Sequence, residues 1–315
     1  MTTTVLLAGA TGDLGQRIAR ELLRDAASDV HLRVLTRPGS TAATTLFGDD
    51  DRVEVTRASY TDVPALTEAA RGADVVVSAV SGVRPVIVDA QRALLTAAVA
   101  AGVPRFVPSD YSADYRSIPP GSNRNFELRR EFAADVDAAP IRATSVLNGM
   151  FTDLLTGDAP MVLFDRRRVL FWSSADQVLD FTTKDDVAHV VAGVALDPEA
   201  PRVVEVAGDQ VTAREVARTM SELTGTPFRP QWAGTTGTLS AMAAVMRRTS
   251  KGGDTFPAWQ GMQYFVNMFS GDAQLRHLGG ARYAPERWTT VRDVLATRVG
   301  NAGGSAASAA ASASA

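Results

Sequence analysis

The sequence predicts an α/β fold: a doubly wound parallel sheet followed by a smaller, mostly helical part. Three observations predict it. Short, wholly apolar runs alternate with amphipathic helical segments through residue 150. The first apolar run ends in a glycine-rich turn that opens a helix. After residue 150 the alternation breaks and helical patterning dominates.

The elements follow in order. TVLLAG (4–9) reads as a buried strand and DLGQRIARELLRDA (13–26) as an amphipathic helix. VHLRVLT (30–36) and VEVTRA (53–58) read as strands, and residues 62–71 as a helix. ADVVVSAV (73–80) is a further strand, followed by a long Ala-rich helix over 85–101 and the strand RFVPS (105–109). A helix over 123–137 and a strand at IRATSVL (141–147) complete this half. Apolar runs without polar alternation fit a parallel sheet covered on both faces.

Beyond that, residues 162–182 read as two strands around a turn, 185–196 as a helix covering the sheet and 201–208 as a short strand. The helix at 212–225 carries a capping-box signature, Thr212 with Glu215. From 236 the pattern is helical, interrupted by KGGDTFP (251–257). The run NAGGSAASAAASASA (301–315) is low-complexity and is expected to be disordered. The division is thus 1–150 nucleotide-binding, 151–300 a substrate-cleft region interleaved with the sheet, and 301–315 tail.

Composition narrows the function. The 315 residues are 45% hydrophobic and 21% charged, with net charge −3. An acidic balance without basic clusters argues against nucleic-acid binding. There is no cysteine, hence no disulfide, thiolate metal site or cysteine nucleophile. His31, His189 and His277 lack metal-ligand spacing. The N-terminus has no basic region, and no apolar run reaches the ~18 residues of a membrane span. A cytoplasmic monomer or homodimer acting on a small molecule is expected.

GATGDLG places Gly9, Gly12 and Gly15 between a buried strand and a helix, the context that dinucleotide binding requires. Gly9 permits the turn, Gly12 lets the backbone approach a pyrophosphate, and Gly15 lets helix and strand pack closely. Thr11, Asp13 and Leu14 complete the phosphate-facing turn. The second strand ends at LTRPGS, where an NAD site would place an acidic residue. Arg37 can instead pair with a 2′-phosphate, with Thr36 and Ser40 adding hydrogen bonds, which predicts NADP(H). Ser78, ending the fourth strand, and Asn148, ending the sixth, should lie beside the nicotinamide ribose and ring. ASYTD (58–62) is placed to flank the adenine.

GATGDLG, the arginine after strand two, AAGVPRFVPSDY and LNGMF together resemble the NmrA-like, isoflavone-reductase-like branch of the short-chain dehydrogenase/reductases. FTTKDDVAHVVAGVALDP and YAPERWTTVRDVL carry the resemblance through the rest of the chain up to the tail. It implies a Rossmann domain, NADP(H), and a cleft built by the C-terminal segment. Enzymatic members of the family reduce plant phenolics or similar aromatics; other members bind the dinucleotide as redox-responsive regulators.

The reductases carry a lysine three residues before an Ile-Arg-Arg run. Here Leu128-Arg129-Arg130 matches the run, and Asn125 occupies the lysine position. Asparagine can orient a carbonyl or a water but has no proton to transfer. Tyr-x-x-x-Lys is also missing: Tyr115 follows Tyr111 by four and Pro119 follows Tyr115 by four. The proton source is open among Asp110, Tyr111, Tyr115 and a water held by Asn125; Asp110 also fits a turn cap and Tyr111 a packing role. Asn125, Asp110 and Tyr115 are the candidate catalytic set. Met150 or Phe151 can wall an aromatic substrate or belong to the core, and residues 254–269 can lid the pocket or pack as a core or dimer helix. The function expected is NADPH-dependent reduction of a small aromatic or polyketide-like carbonyl, enone or benzylic ether. An NADP(H)-sensing binding protein without turnover, or a cofactor-using isomerase or epimerase, stays open beside it.

Overall fold

A computed structural model describes residues 2–24, 29–157, 159–250 and 255–312. Ten helices and fourteen strands occur among the described residues. Strands β1 (Thr3–Ala8), β2 (Val30–Thr36), β3 (Val53–Arg57), β4 (Val75–Ser78), β5 (Arg105–Val107) and β6 (Arg142–Ala143) form a sheet of order β3-β2-β1-β4-β5-β6. Every pair in it is parallel. The chain order reverses between β1 and β4, which opens a crevice at their carboxyl ends.

The period-2 geometry of β1 explains its unbroken apolar run. Val5 and Leu7 join one core cluster with Ile18 and Leu22 of α1 (Asp13–Leu23) and Val187, Val190, Val191 and Val194 of α6 (Lys184–Leu196). Leu6 and Ala8 join the opposite cluster. That second layer is built from α3 (Val63–Ala70), α4 (Gln91–Ala100) and α5 (Arg124–Ala138), with Leu66, Leu94, Phe106 and Phe132 fully buried. The short α2 (Ala42–Phe47) links β2 to β3. The long helix expected over 85–101 begins as a π-helical segment, Pro85–Ala90, before α4.

The strand expected at 141–147 is two strands. At Thr144 the chain stops pairing with β5, and β7 (Ser145–Leu147) pairs in parallel with β12 (Val203–Glu205) instead. Residues 162–182 hold three strands rather than two. β9 (Val162–Leu163) and β10 (Arg168–Phe171) form an antiparallel hairpin, with β14 (Arg229–Trp232) parallel to β10. β11 (Leu179–Thr182) pairs elsewhere, with β8 (Met150–Phe151) and β13 (Asp209–Val211).

α7 (Ala213–Thr224) opens with the expected capping box, Thr212 and Glu215 bonding each other's backbone. It packs with α9 (Ala258–Ser270) and the start of α10 (Val291–Ser312) around Trp172, Phe265 and Phe269. α8 (Thr236–Thr249) lies on α9. The tail expected to be disordered is helical through Ser312, continuing α10. Alanine is the strongest helix former, so an Ala-rich run extends a helix already nucleated by packed turns. Residues 313–315 lie outside the described residues, as do 25–26 of the first expected helix and 251–254 of the expected interruption. No helix among the described residues is long and apolar enough to cross a membrane.

Candidate active site

The turn after β1 is shaped by its glycines. Gly9 has φ +83°, and a Cβ there would lie 2.6 Å from the Ala79 carbonyl oxygen after β4. A Cβ on Gly15 would lie 2.1 Å from the Gly9 carbonyl oxygen, so only glycine lets α1 start against the turn. Gly12 donates its N–H to Gly9 O at 3.0 Å and is the N-cap of α1, with no side-chain cap bond. The amides of Asp13, Leu14 and Gly15 have no acceptor inside the helix. With Thr11, Gly12 and Asp13 exposed, this corner can cradle a diphosphate.

The Asp13 carboxylate is turned away from that role. It accepts from Lys184 Nζ at 2.6 Å and Arg17 Nε at 2.8 Å, and these bonds hold its pKa below the usual carboxylate range. Arg17 also reaches Asp185, so the ion cluster ties α1 to α6 beside the turn. Sequence spacing gave no hint of Lys184 or Asp185, which lie about 170 residues away.

At the end of β2, Thr36 is buried and Arg37 exposed. Among the described residues the Arg37 guanidinium makes no salt bridge, which leaves it available to an anionic ligand. Burial pushes the Tyr60 phenol up to about 12, and the Arg37 charge beside it pulls the other way. Tyr60 of the ASYTD stretch thus lies beside the arginine.

The ends of β4, β5 and β7 converge. Tyr111 Oη donates to the Ser78 carbonyl at 3.0 Å, and Ser109 Oγ to the Val80 carbonyl at 2.7 Å. Asn148 is wholly buried; its carbonyl accepts from Thr182 Oγ1 at 2.8 Å. Three buried polar atoms here, Ser78 Oγ, Asp110 Oδ1 and Asn148 Oδ1, have no hydrogen-bond partner. Buried polar groups are rarely left so. Unsatisfied atoms at the carboxyl ends of β4 and β7 fit the polar edge of a bound ring or ribose.

Asp110 and Tyr115 are brought together in a buried network that engages only the Oδ2 oxygen of Asp110. Both are buried, at 1% and 2% exposure. Tyr115 Oη donates to Asp110 Oδ2 at 3.0 Å and Ser145 Oγ donates to the same oxygen at 2.7 Å. Arg202 caps the far side by donating to Ser145 Oγ, and itself pairs with Asp137. Burial raises the Asp110 pKa; Ser145, Arg129 and Tyr115 oppose it. The Tyr115 proton is therefore committed to Asp110. Ser145 and Arg202 complete a network that was not legible in sequence, because its members are contributed by separate strands.

Asn125 lies elsewhere, at the start of α5 against α9. Its Nδ2 donates to Tyr264 Oη and its Oδ1 accepts from Arg124 Nε, both at 3.0 Å. None of its bonds reaches Asp110 or Tyr115. Arg124 stacks 4.8 Å over the Trp259 ring and donates to the Thr255 carbonyl. Residues 258–270 thus pack as a helix while presenting Tyr264 and Met268 to this corner. A small cleft is lined by Ala113, Gly149, Met150, Asp180, Met268 and Gln274. His189 is a half-buried partner of Glu21, and no group of His, Asp and Glu among the described residues could hold a metal.

Comparison with known proteins bears on this arrangement. Pinoresinol reductase 1 from Arabidopsis thaliana is 31% identical over 211 residues, 62% of this chain and 65% of its own length. An NmrA-like family domain-containing oxidoreductase from Gibberella moniliformis is 26% identical over 242 residues, 71% of this chain and 78% of its own. The alignment thus spans just under two thirds of the plant relative. Among solved structures, AtPrR2 with NADP+ and (+)pinoresinol superposes with TM-score 0.79 at 22% identity, over 95% of this chain and 99% of the other. An isoflavone reductase superposes with TM-score 0.76 at 19% identity, over 94% and 99%. At those identities the likeness is one of fold. The family model for NmrA-like proteins matches residues 1–241, and the chain belongs to the NmrA-like family.

Proposed function

We propose that this protein is an NADPH-dependent reductase of a small aromatic substrate, with a benzylic ether as the bond it opens. The observation that carries the cofactor half is the pairing of an uncapped glycine turn with an unpaired Arg37 at the end of β2. The substrate half is supported by the plant relatives, which are named pinoresinol and pinoresinol-lariciresinol reductases.

When bound, NADPH supplies a hydride. The chain's own residues hold and orient. Amides of Gly12 to Gly15 bind the diphosphate, and Arg37 with Thr36 binds the 2′-phosphate. Ser78 and Asn148 bond the nicotinamide end. Met150 and Met268 line the aromatic side of the cleft, where thioethers pack well on ring edges. Gly149, at φ +69° and tight against the Asp180 carbonyl, turns the chain beside Met150.

The test is a fluorescence titration of wild type and Arg37→Asp with NADPH and NADH, followed by an assay of NADPH absorbance with pinoresinol. Wild type should prefer NADPH. Arg37→Asp should weaken NADPH about 10- to 100-fold, the size of a lost charge-assisted bond, and narrow or reverse the preference. Unchanged NADPH affinity would remove Arg37 from the site. Tight NADPH binding with no turnover of any benzylic ether, enone or quinone would favour a dinucleotide sensor, the reading that Asn125 in the lysine position favours.

A further inference from the structure

The meeting of α5 and α9 holds a tyrosine whose proton is uncommitted among the described residues, packed with Met268 on the cluster that contains the cleft residues Ala113 and Ala273. Three of the five tyrosines donate elsewhere: Tyr111 to Ser78, Tyr115 to Asp110 and Tyr283 to Asp197. Tyr60 sits beside Arg37, at the opposite side of the sheet from β5. Tyr264 differs. Its oxygen accepts from Asn125 Nδ2, and its own hydrogen has no acceptor among the described residues.

The geometry around Tyr264 is defined. Arg124 can only donate, so the Asn125 oxygen must face the guanidinium and the NH₂ must face the phenol. The Tyr264 ring sits edge-on to Phe126, with centroids 5.0 Å apart at 87°. Asn125 is 2% exposed, whereas Tyr264 is only half-buried. One helical turn further, on the same face of α9, Met268 lines the cleft with Gly149 and Met150.

We propose that Tyr264 is the proton donor of the reduction, with Arg124 and Asn125 as its positioning residues. This rests on the reductase reading above. The step balances as follows. The benzylic carbon takes a hydride from the reduced nicotinamide as its C–O bond breaks. The departing oxygen keeps the bonding pair and takes the Tyr264 proton, becoming a hydroxyl. Tyr264, left negative, regains a proton from water after product leaves. Through that step the Asn125 N–H bond strengthens as charge develops on the phenol oxygen, and the guanidinium polarises the amide that makes it. Asn125 thereby supports a donor without being one, which answers how a reductase can lack a lysine at this position.

The test compares wild type, Tyr264→Phe and Asn125→Leu with pinoresinol as probe. Tyr264→Phe keeps the ring against Phe126. It should lower kcat about 100-fold, the usual worth of a general acid, with KM, melting temperature and NADPH affinity by fluorescence unchanged. Asn125→Leu should lower kcat about 10-fold and leave NADPH affinity unchanged, as loss of one hydrogen bond to developing charge does. Wild-type kcat in Tyr264→Phe overturns the proposal while leaving the reductase reading intact. A fall in melting temperature and NADPH affinity alongside kcat, in both variants, also overturns it, since that marks a structural role. No NADPH consumption by wild type with pinoresinol or any other benzylic ether, enone or quinone overturns the reductase reading itself, and this proposal with it.

Discussion

At the scale of single residues, the turn after β1 leaves no latitude. Gly15→Ala would put a methyl 2.1 Å from a backbone oxygen, not from a side chain that can swing aside. Overpacking of this kind costs about 1–3 kcal/mol or more, and it displaces the amides that face the diphosphate. A lowered melting temperature together with lost NADPH binding in a titration is expected; a native-like protein with full affinity would contradict it. Asp110 makes a pH prediction. Its pKa is raised by burial, so the fold favours its protonated form. The contribution is fully present below the ordinary carboxylate range and is lost as pH rises through the higher folded value. Asp110→Asn should therefore flatten the fall in stability as pH rises above the ordinary carboxylate range, read as melting temperature against pH. An unchanged slope would mean that Asp110 is ionised throughout. The glycines were legible because turn geometry is local. The surroundings of Asp110 were not, because Ser145 and Arg202 reach it only through the folded sheet.

At the scale of elements, buried carboxylates fasten the segment after α9 to the core. Glu205, 3% exposed at the end of β12, accepts from the amides of Arg276 and His277 at 3.1 and 2.8 Å and from Arg116. Asp180 on β11 accepts from the Leu275 amide at 2.7 Å. Glu205→Ala leaves two amides without their acceptor and removes one of the two carboxylates that Arg116 pairs with, Asp114 remaining, which should cost roughly 2–4 kcal/mol in urea unfolding. Because Ala273 and Gln274 line the cleft, substrate KM should rise in the same variant. A loss under 1 kcal/mol, about the worth of one ordinary hydrogen bond, would show that water replaces the clasp. The capping box at Thr212 was readable in sequence because its partners are three residues apart. The clasp was not, since its partners are about 70 to 95 residues apart. Nor was the break at Thr144, where neighbouring strands on both sides compete for one short apolar run.

For the whole molecule, the parallel sheet sets where a ligand can sit, and ligand binding should in turn stabilise the sheet. A dinucleotide bound to the fold but not to the unfolded chain adds about 2.7 kcal/mol at a concentration one hundred times its Kd. NADPH should therefore raise the melting temperature in a concentration-dependent manner, and NADH at equal concentration should raise it less. Equal shifts would argue against a 2′-phosphate site at Arg37. The part beyond residue 150 returns to the first sheet, since α6 packs on α1 and β12 joins β7. Any destabilisation there should reach the nucleotide turn through the Asp13–Lys184 and Arg17–Asp185 pairs.

The sequence alone determined whatever depends on neighbours along the chain. The strand–helix alternation, the glycine turn, the arginine in place of an acid after β2, and the capping box are all local patterns, and each reflects backbone sterics or a side chain a few residues away. Tertiary structure decided what depends on distant segments meeting. It placed Tyr264 of α9 on Asn125 of α5 and joined Asp110 and Tyr115 to Ser145. Hydrogen bonds across 35 to 139 residues leave no periodic trace in sequence, because each partner alone reads as an ordinary polar residue of its own element.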